Sequence, residues 1–243
     1  MAATNFLKII NCITTYTWWK NIFERVFALL LLLILSPILV FIAILIRLES
    51  PGNPLFCQER VGKNGRKFTL YKFRSMYKDH DDSKYQAYMQ QYVQENSSSL
   101  MDENGQDKYE LINDPRITRV GSLIRRSSLD ELPQLINILK GDMSFVGPRP
   151  DIPFAVRFYK GHHRKRFQAK PGVTGLWQVF PDRRRITFED MVQLDIDYIN
   201  RQSLFLDIKI IFLTAFEILS FGSRQRGIEE VKMADGMKNG IKA

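Results

Sequence analysis

Two adjacent carboxylates, Asp130 and Glu131, are placed to do chemistry. They stand just before Pro133, whose fixed φ suits the first residue of a helix, with Gly141 past the end of that helix and Leu135, Ile136 and Leu139 expected on its buried side. Acidic groups there meet the positive end of the helix dipole, which alone explains many acidic residues at helix starts. Ser128 and Glu131 also fit a capping box, so the pair could instead occupy a first turn bent at Pro133. Arg125 and Arg126 lie one turn upstream. Two stiff loops follow, Phe145-Val146-Gly147-Pro148-Arg149-Pro150 and Lys170 to Gln178, rich in glycine and proline and offering amides and a guanidinium group to phosphate oxygens. Basic loops around an acidic pair suggest magnesium-assisted phosphoryl chemistry, because the metal bridges carboxylate and diphosphate.

The elements that must position this pair begin with the run Val26–Ile46, VFALLLLLILSPILVFIAILI, which carries no charge. As a straight helix it reaches roughly 31 Å, about one bilayer hydrocarbon thickness. Pro37 lacks the amide that would bond the Leu33 carbonyl, so a bend is expected there, and the Ser36 hydroxyl can bond back one turn to relieve the loss. Lys8, Lys20 and Arg25 precede the run, and Arg47, Arg60, Lys63 and others follow it. Positive residues mark the cytoplasmic side, and both flanks carry them, so the sequence predicts a re-entrant helix over 26–46, bent at Ser36-Pro37, in preference to a plain crossing. Residues 1–25, with Trp18 and Trp19 at the end, read as an interfacial lead-in helix. The run is too long for a signal-peptide core and ends without a small-residue cleavage site, so it should be retained.

Beyond Ser50–Pro54, Leu55–Arg60 and Lys67–Tyr71 read as strands joined at Gly62-Lys63-Asn64-Gly65, a β-hairpin. The polar stretch Asp79–Asn113 holds a helix over Gln86–Gln94 and loops, and Asp79-His80-Asp81-Asp82 reads as a solvated loop, since four consecutive side chains cannot face one ion. Phe188, Met191, Val192 and Ile199 mark one amphipathic helix. Leu204–Phe221 marks another, whose interruptions at Asp207, Lys209, Thr214 and Glu217 favour lying in the interface. Residues 222–243 read as a tail. His162-His163-Arg164-Lys165-Arg166 and Arg183–Arg185 read as lipid-facing or solvated basic patches, and the two histidines have no metal-ligand partners nearby in sequence.

The net charge of +9 suits anionic lipid or phosphate-bearing ligands. Nucleic acid would suit it too, yet no helix-turn-helix, zinc-finger or RNA-binding signature accompanies it, so none is expected as a partner. The two cysteines, Cys12 and Cys57, form no disulfide framework, which fits a reducing compartment.

Taken in order, the Ser36-Pro37 bend, Tyr71–Met76, Asp114–Gly121, Ser128–Leu135, Gly141–Pro150 and Lys170–Val179 resemble the bacterial sugar transferases that load a polyprenyl phosphate, the monotopic phosphoglycosyl transferases. The resemblance covers nearly the whole chain and is closest to the short form, without a preceding bundle of membrane helices. It implies a mostly helical α+β fold: a re-entrant membrane hairpin, interfacial amphipathic helices and a small β-hairpin in a cytosolic catalytic domain over 47–221, at the bacterial inner membrane. It implies transfer of a sugar-1-phosphate from a UDP-sugar to undecaprenyl phosphate, with UMP released and Mg2+ as cofactor. By matched position, Asp130 is the nucleophile that carries the phosphosugar, and Glu131 binds metal with it or assists the acceptor. Lys72, Arg74, Arg125 and Arg149 are the expected phosphate-binding groups. The sugar is left open, as is a homodimer. The turn Phe180–Arg185 and the Asp79–Asn113 insert depart from the family pattern and could border the sugar.

Overall fold

The computed structural model describes residues 2–77, 83–95, 116–181 and 186–219, with side chains from residue 15 onward except at 83–85 and 88. The Asp79–Asp82 cluster and Arg183–Arg185 lie outside the described residues, as do 222–243 and most of the 79–113 insert.

A single helix, α1 (Ala2–Glu49), joins what the sequence divides into a lead-in helix and a membrane helix. It stays helical through Pro37 because Ser36 Oγ donates to Leu33 O at 2.8 Å, the carbonyl that Pro37 cannot serve. The stretch Thr15–Glu49 is long and apolar enough to cross a membrane, and only 11% of its most apolar window is buried. What is buried packs on the rest of the protein on both sides of Pro37. Ala28, Leu31, Leu32 and Leu35 meet Leu70, Leu135, Ile138 and Met143, whereas Leu39, Ile42, Ala43 and Ile46 meet Phe73 and Ile124. Spacings of three and four put these residues on one stripe. The other face, including Phe23, Leu30, Leu33, Ile34 and Phe41, is open.

The predicted hairpin forms from β1 (Leu55–Val61) and β2 (Lys67–Phe73), antiparallel, with Leu55 opposite Phe73 and Arg60 opposite Phe68. Asn64 at its tip takes a left-handed φ of 58°. Next come α2 (Ser83–Gln94), which holds the predicted helix, and α3 (Arg119–Arg126). A 3-10 turn, Leu129–Glu131, leads into α4 (Gln134–Lys140). Then β3 (Ser144–Val146) pairs in parallel with β4 (Gly172–Thr174), and the short α5 (Pro153–Val156) and a 3-10 turn at His162–Gln168 lie between them. The last described elements are α6 (Phe188–Arg201) and α7, over 204–219.

α6 is capped by a reciprocal Thr187–Asp190 box and buries Phe188, Met191, Val192 and Ile199, the face its periodicity predicts. α7 is built the other way round. Asp207, Ile210 and Thr214 face inward, and Phe205, Ile208, Phe212, Phe216 and Leu219 face out. A row of large apolar side chains facing out, with Asp207 and Thr214 turned inward beside Ile210, is the arrangement expected of a helix that rests against lipid.

The reading of His162–Arg166 as a basic surface patch holds for His162, Arg164 and Lys165, which are exposed, and fails for the other two. His163 and Arg166 are each 1% exposed. Arg166 donates to Asp151 Oδ1 at 3.1 Å, to Tyr159 Oη at 3.0 Å and to Asp195. Burial pushes Asp195 up to about 7 in spite of that guanidinium group. Its two terminal nitrogens find acceptors in this way, while Nε is buried without one among the described residues, and pairing with two carboxylates is what makes such a buried charge tolerable.

Candidate active site

α3, the 3-10 turn and α4 carry the dyad, and both ends of this unit are anchored. At the start, Glu49 at the end of α1 accepts from Arg119 N at 2.6 Å and Val120 N at 2.8 Å, and Thr118 Oγ1 accepts from Gly121 N at 2.8 Å. These bonds satisfy the orphan amides of α3. On α4, the fully buried Asn137 fastens the helix to the outer edge of β2: its amide donates to Thr69 O at 2.6 Å and its carbonyl accepts from Tyr71 N at 3.0 Å. Gly141 ends α4 at φ 87°. The buried residues of α4 are Gln134, Leu135, Asn137 and Ile138, and Ile136, expected inside, is only partly buried. Leu139, expected inside, is 36% exposed, because each step along so short a helix turns the side chain by about 100°.

Between the anchors, Ser128 turns left-handed at φ 56° and makes no side-chain cap. The capping box does not form, and Asp130 and Glu131 ride on the tight turn just before α4. Fixing α4 to β2 brings Lys72 Nζ to 2.7 Å from Glu131 Oε1. The Arg149 loop adds a second cation to the same cleft, which is lined by Arg60, Leu70, Lys72, Glu131, Gln134, Arg149, Pro150, Gly172 and Val173. Gly147 and Gly172 let β3 and β4 approach closely: a Cβ on Gly172 would come within 2.1 Å of Gly147 N.

The two carboxyls are driven apart electrostatically. Burial raises Asp130 above the usual aspartate range, with Glu131 adding to the rise and Lys72, Arg125 and Arg149 opposing it. Burial also pushes Glu131 up, but Lys72, Arg149 and Arg60 together outweigh it and hold Glu131 below the ordinary glutamate value. Adjacent acids with opposite shifts are suited to different roles. Glu131 is a held anion, whereas the Asp130 side chain accepts no hydrogen bond among the described residues.

Among the expected site residues, Asp130, Glu131, Lys72, Arg125 and Arg149 are brought within electrostatic reach of one another. Arg74 is not. It is 9% exposed and donates to Ser50 O at 2.6 Å and Pro51 O at 2.9 Å, so it braces the turn that follows α1. A strand reverses side at every residue, yet Arg74 lies just past the end of β2, where the chain has left the sheet. Arg60 and Gln134 were not anticipated. Hairpin register holds the signal for Arg60: opposite Phe68, it shares the face of Leu70 and Lys72.

His162 and His163 do find a partner in space, Glu189, at 2.5 and 3.0 Å from their Nε2 atoms. His163 Nδ1 accepts from Lys160 N, so a neutral His163 keeps its proton on Nε2 and donates it to Glu189. That tautomer has no lone pair on Nε2 for a metal.

Comparison with known proteins adds to this geometry. The family model described as bacterial sugar transferase matches residues 15–221. The chain is 40% identical to the galactosyl transferase CpsE of Streptococcus agalactiae serotype III (strain NEM316), over 82% of this chain and 42% of the relative. It is 41% identical to the undecaprenyl-phosphate glucose phosphotransferase of Komagataeibacter xylinus, over 80% and 35%. It is 35% identical to the exopolysaccharide production protein ExoY of Sinorhizobium fredii (strain NBRC 101917 / NGR234), over 80% and 83%. The chain thus spans about two fifths of the first two relatives and most of the third.

Proposed function

The chain belongs to the bacterial sugar transferases, and from that premise we propose that it transfers a sugar-1-phosphate from a UDP-sugar to undecaprenyl phosphate at the cytoplasmic face of the bacterial inner membrane. The product, an undecaprenyl-diphosphosugar, would open the synthesis of a surface glycan. The observation that carries the reading is the split dyad: a half-buried Asp130 that accepts no hydrogen bond among the described residues, beside a Glu131 held as an anion by Lys72.

In the proposed reaction an Asp130 carboxylate oxygen attacks the β-phosphorus of the donor. The bond from that phosphorus to the bridging oxygen breaks, and UMP leaves with the electron pair. An oxygen of the lipid phosphate then attacks the phosphosugar held on Asp130, the bond to the carboxylate breaks, and the aspartate is regenerated. Lys72, Arg125 and Arg149, with Arg60 on the Glu131 side, hold phosphate oxygens where negative charge develops.

The residues present fit a magnesium ion. Lys72 engages only Oε1 of Glu131, and the remaining carboxylate oxygens of the dyad are hard donors that accept no hydrogen bond among the described residues. Asp130 and Glu131 would hold the ion, which would offset charge on the departing nucleotide. UMP release by purified protein should therefore require added Mg2+ and stop with EDTA. Full turnover in EDTA would remove the metal from the scheme.

For membrane seating, the re-entrant reading is supported by contacts at both ends of the apolar run. Glu24 accepts from Ser144 Oγ at 2.8 Å before it, and Glu49 holds α3 after it. A helix whose two flanks grip one compact unit, with its outer face apolar, is best accommodated by entering and leaving on one side. In a background with Cys12→Ser and Cys57→Ser, the exposed positions Thr15→Cys and Pro51→Cys should both label only from the cytoplasmic side. Labelling from opposite sides would replace the re-entrant helix by a crossing.

A further inference from the structure

The loop that presents Arg149 is held at almost every carbonyl. Val146 O accepts from Lys20 Nζ at 2.9 Å and lies 3.0 Å from Tyr198 Oη; Pro148 O accepts from Gly172 N at 2.9 Å. Arg149 O accepts a longer bond from Arg166 at 3.4 Å, Pro150 O one from Arg60 at 3.2 Å, and Asp151 O one from Val61 N at 2.9 Å. Buried carbonyls are nearly always paired, and here the donors come from several separate elements, which fixes the direction of the Arg149 side chain that the loop projects.

One of these donors comes from the membrane helix. Lys20 lies on α1 two turns before the apolar run, with its side chain 9% exposed. It pairs with Asp207 of α7 at 2.6 Å and contacts Tyr198 Oη of α6 at 2.8 Å. Tyr16 on α1 donates to the same Asp207 at 2.6 Å. The cluster therefore ties together the two helices with outward apolar faces, α1 and α7, and the ammonium group at its centre also reaches the root of the Arg149 loop. A charged donor satisfied at this many points is oriented as well as paired.

We propose that Lys20 is a positioning residue: by bonding Val146 O while pairing with Asp207, it sets the aim of Arg149 from the membrane-seated helices. The inference rests on the reading that Arg149 holds a donor phosphate. Lys20 touches no reacting group and acts through the loop. Seating of α1 and α7 in lipid would then be coupled to donor binding, so the site would be best formed only when both helices are docked.

The test uses the full chain in nanodiscs of mixed anionic and zwitterionic phospholipid. Lys20→Met alone leaves Asp207 with a buried, unpaired charge, so the informative variant is the charge-balanced Lys20→Met/Asp207→Asn, with Tyr198→Phe as a milder second. Steady-state UMP release and hydrogen exchange of the peptide over 145–151 are measured in each, alone and combined with Arg149→Ala. The charge-balanced pair should speed exchange over 146–151 and raise the KM for the UDP-sugar about tenfold, with kcat changed less, while melting temperature and nanodisc retention stay near the parent. Added to Arg149→Ala, it should change KM less than about twofold, because both act on one interaction. Unchanged exchange over 146–151, or KM effects that multiply with those of Arg149→Ala, would overturn the inference. If Arg149→Ala by itself leaves KM unchanged, it is the phosphate role of Arg149 that fails, and the exchange comparison still decides whether Lys20 holds the loop.

Discussion

Asp130→Asn should eliminate UMP release, by roughly 10⁴-fold or more, since a reaction that passes through a covalent carboxylate has no second group to take its place. Glu131 is the nearest alternative, but its carboxylate is committed to Lys72. The variant should fold at least as well as the parent. Asp130 is raised above its unfolded value, so the folded state favours the protonated form. Stability from that preference is complete below the unfolded pKa and is lost as pH rises through the folded one, so at neutral pH the ionised group is a net cost. Asparagine removes that cost, and the melting temperature at pH 7 should equal or exceed the parent's. The same shift predicts an acid limb of kcat/KM above the ordinary aspartate range, because acidification protonates the attacking group. Normal turnover by Asp130→Asn in UMP-release assays would end the nucleophile assignment.

Lys72→Met should have the next largest effect, about 10²-fold in kcat/KM, equivalent to about 2.7 kcal/mol of lost transition-state stabilisation. Lys72 has two tasks. Its charge opposes the effect of burial on both carboxyls more strongly than any other, and it is the one direct hydrogen-bond donor to Glu131 among the described residues. Without it, Glu131 loses the largest influence holding it low, Asp130 rises further, and the acid limb of the rate profile should move to higher pH. That displacement separates Lys72 from a residue that only binds donor phosphate, whose loss would raise KM and leave the limb in place. A Lys72→Met enzyme with reduced rate and an unmoved acid limb would assign Lys72 to substrate binding alone.

What could be read from the sequence was whatever is local. The hairpin follows from strand alternation and turn glycines, α4 from Pro133 and Gly141, and the Arg149 loop from its own prolines and glycine. Asp130 and Glu131 stand out because they adjoin a helix start. Arg166 did not, because its neighbours His162–Lys165 look like a solvated basic run, and its acceptors Asp151 and Asp195 are remote in sequence. Arg74 differs in another way: the resemblance placed it with Lys72 among the phosphate-binding groups, whereas the end of the strand sends it back to Ser50 and Pro51. The division of α1 into two helices also went beyond what residues 1–25 could support, since no breaker separates them from the apolar run. The tie from Lys20 to Val146 joins residues 126 apart in sequence, and no periodicity could have announced it.

The most direct test of a covalent aspartate is mass spectrometry of the protein incubated with a UDP-sugar and Mg2+ in the absence of lipid acceptor, followed by peptide mapping. A sugar-phosphate adduct on Asp130, discharged when undecaprenyl phosphate is added and missing in Asp130→Asn, is the predicted result. Turnover without any such adduct, or with the adduct on another residue, would contradict the mechanism.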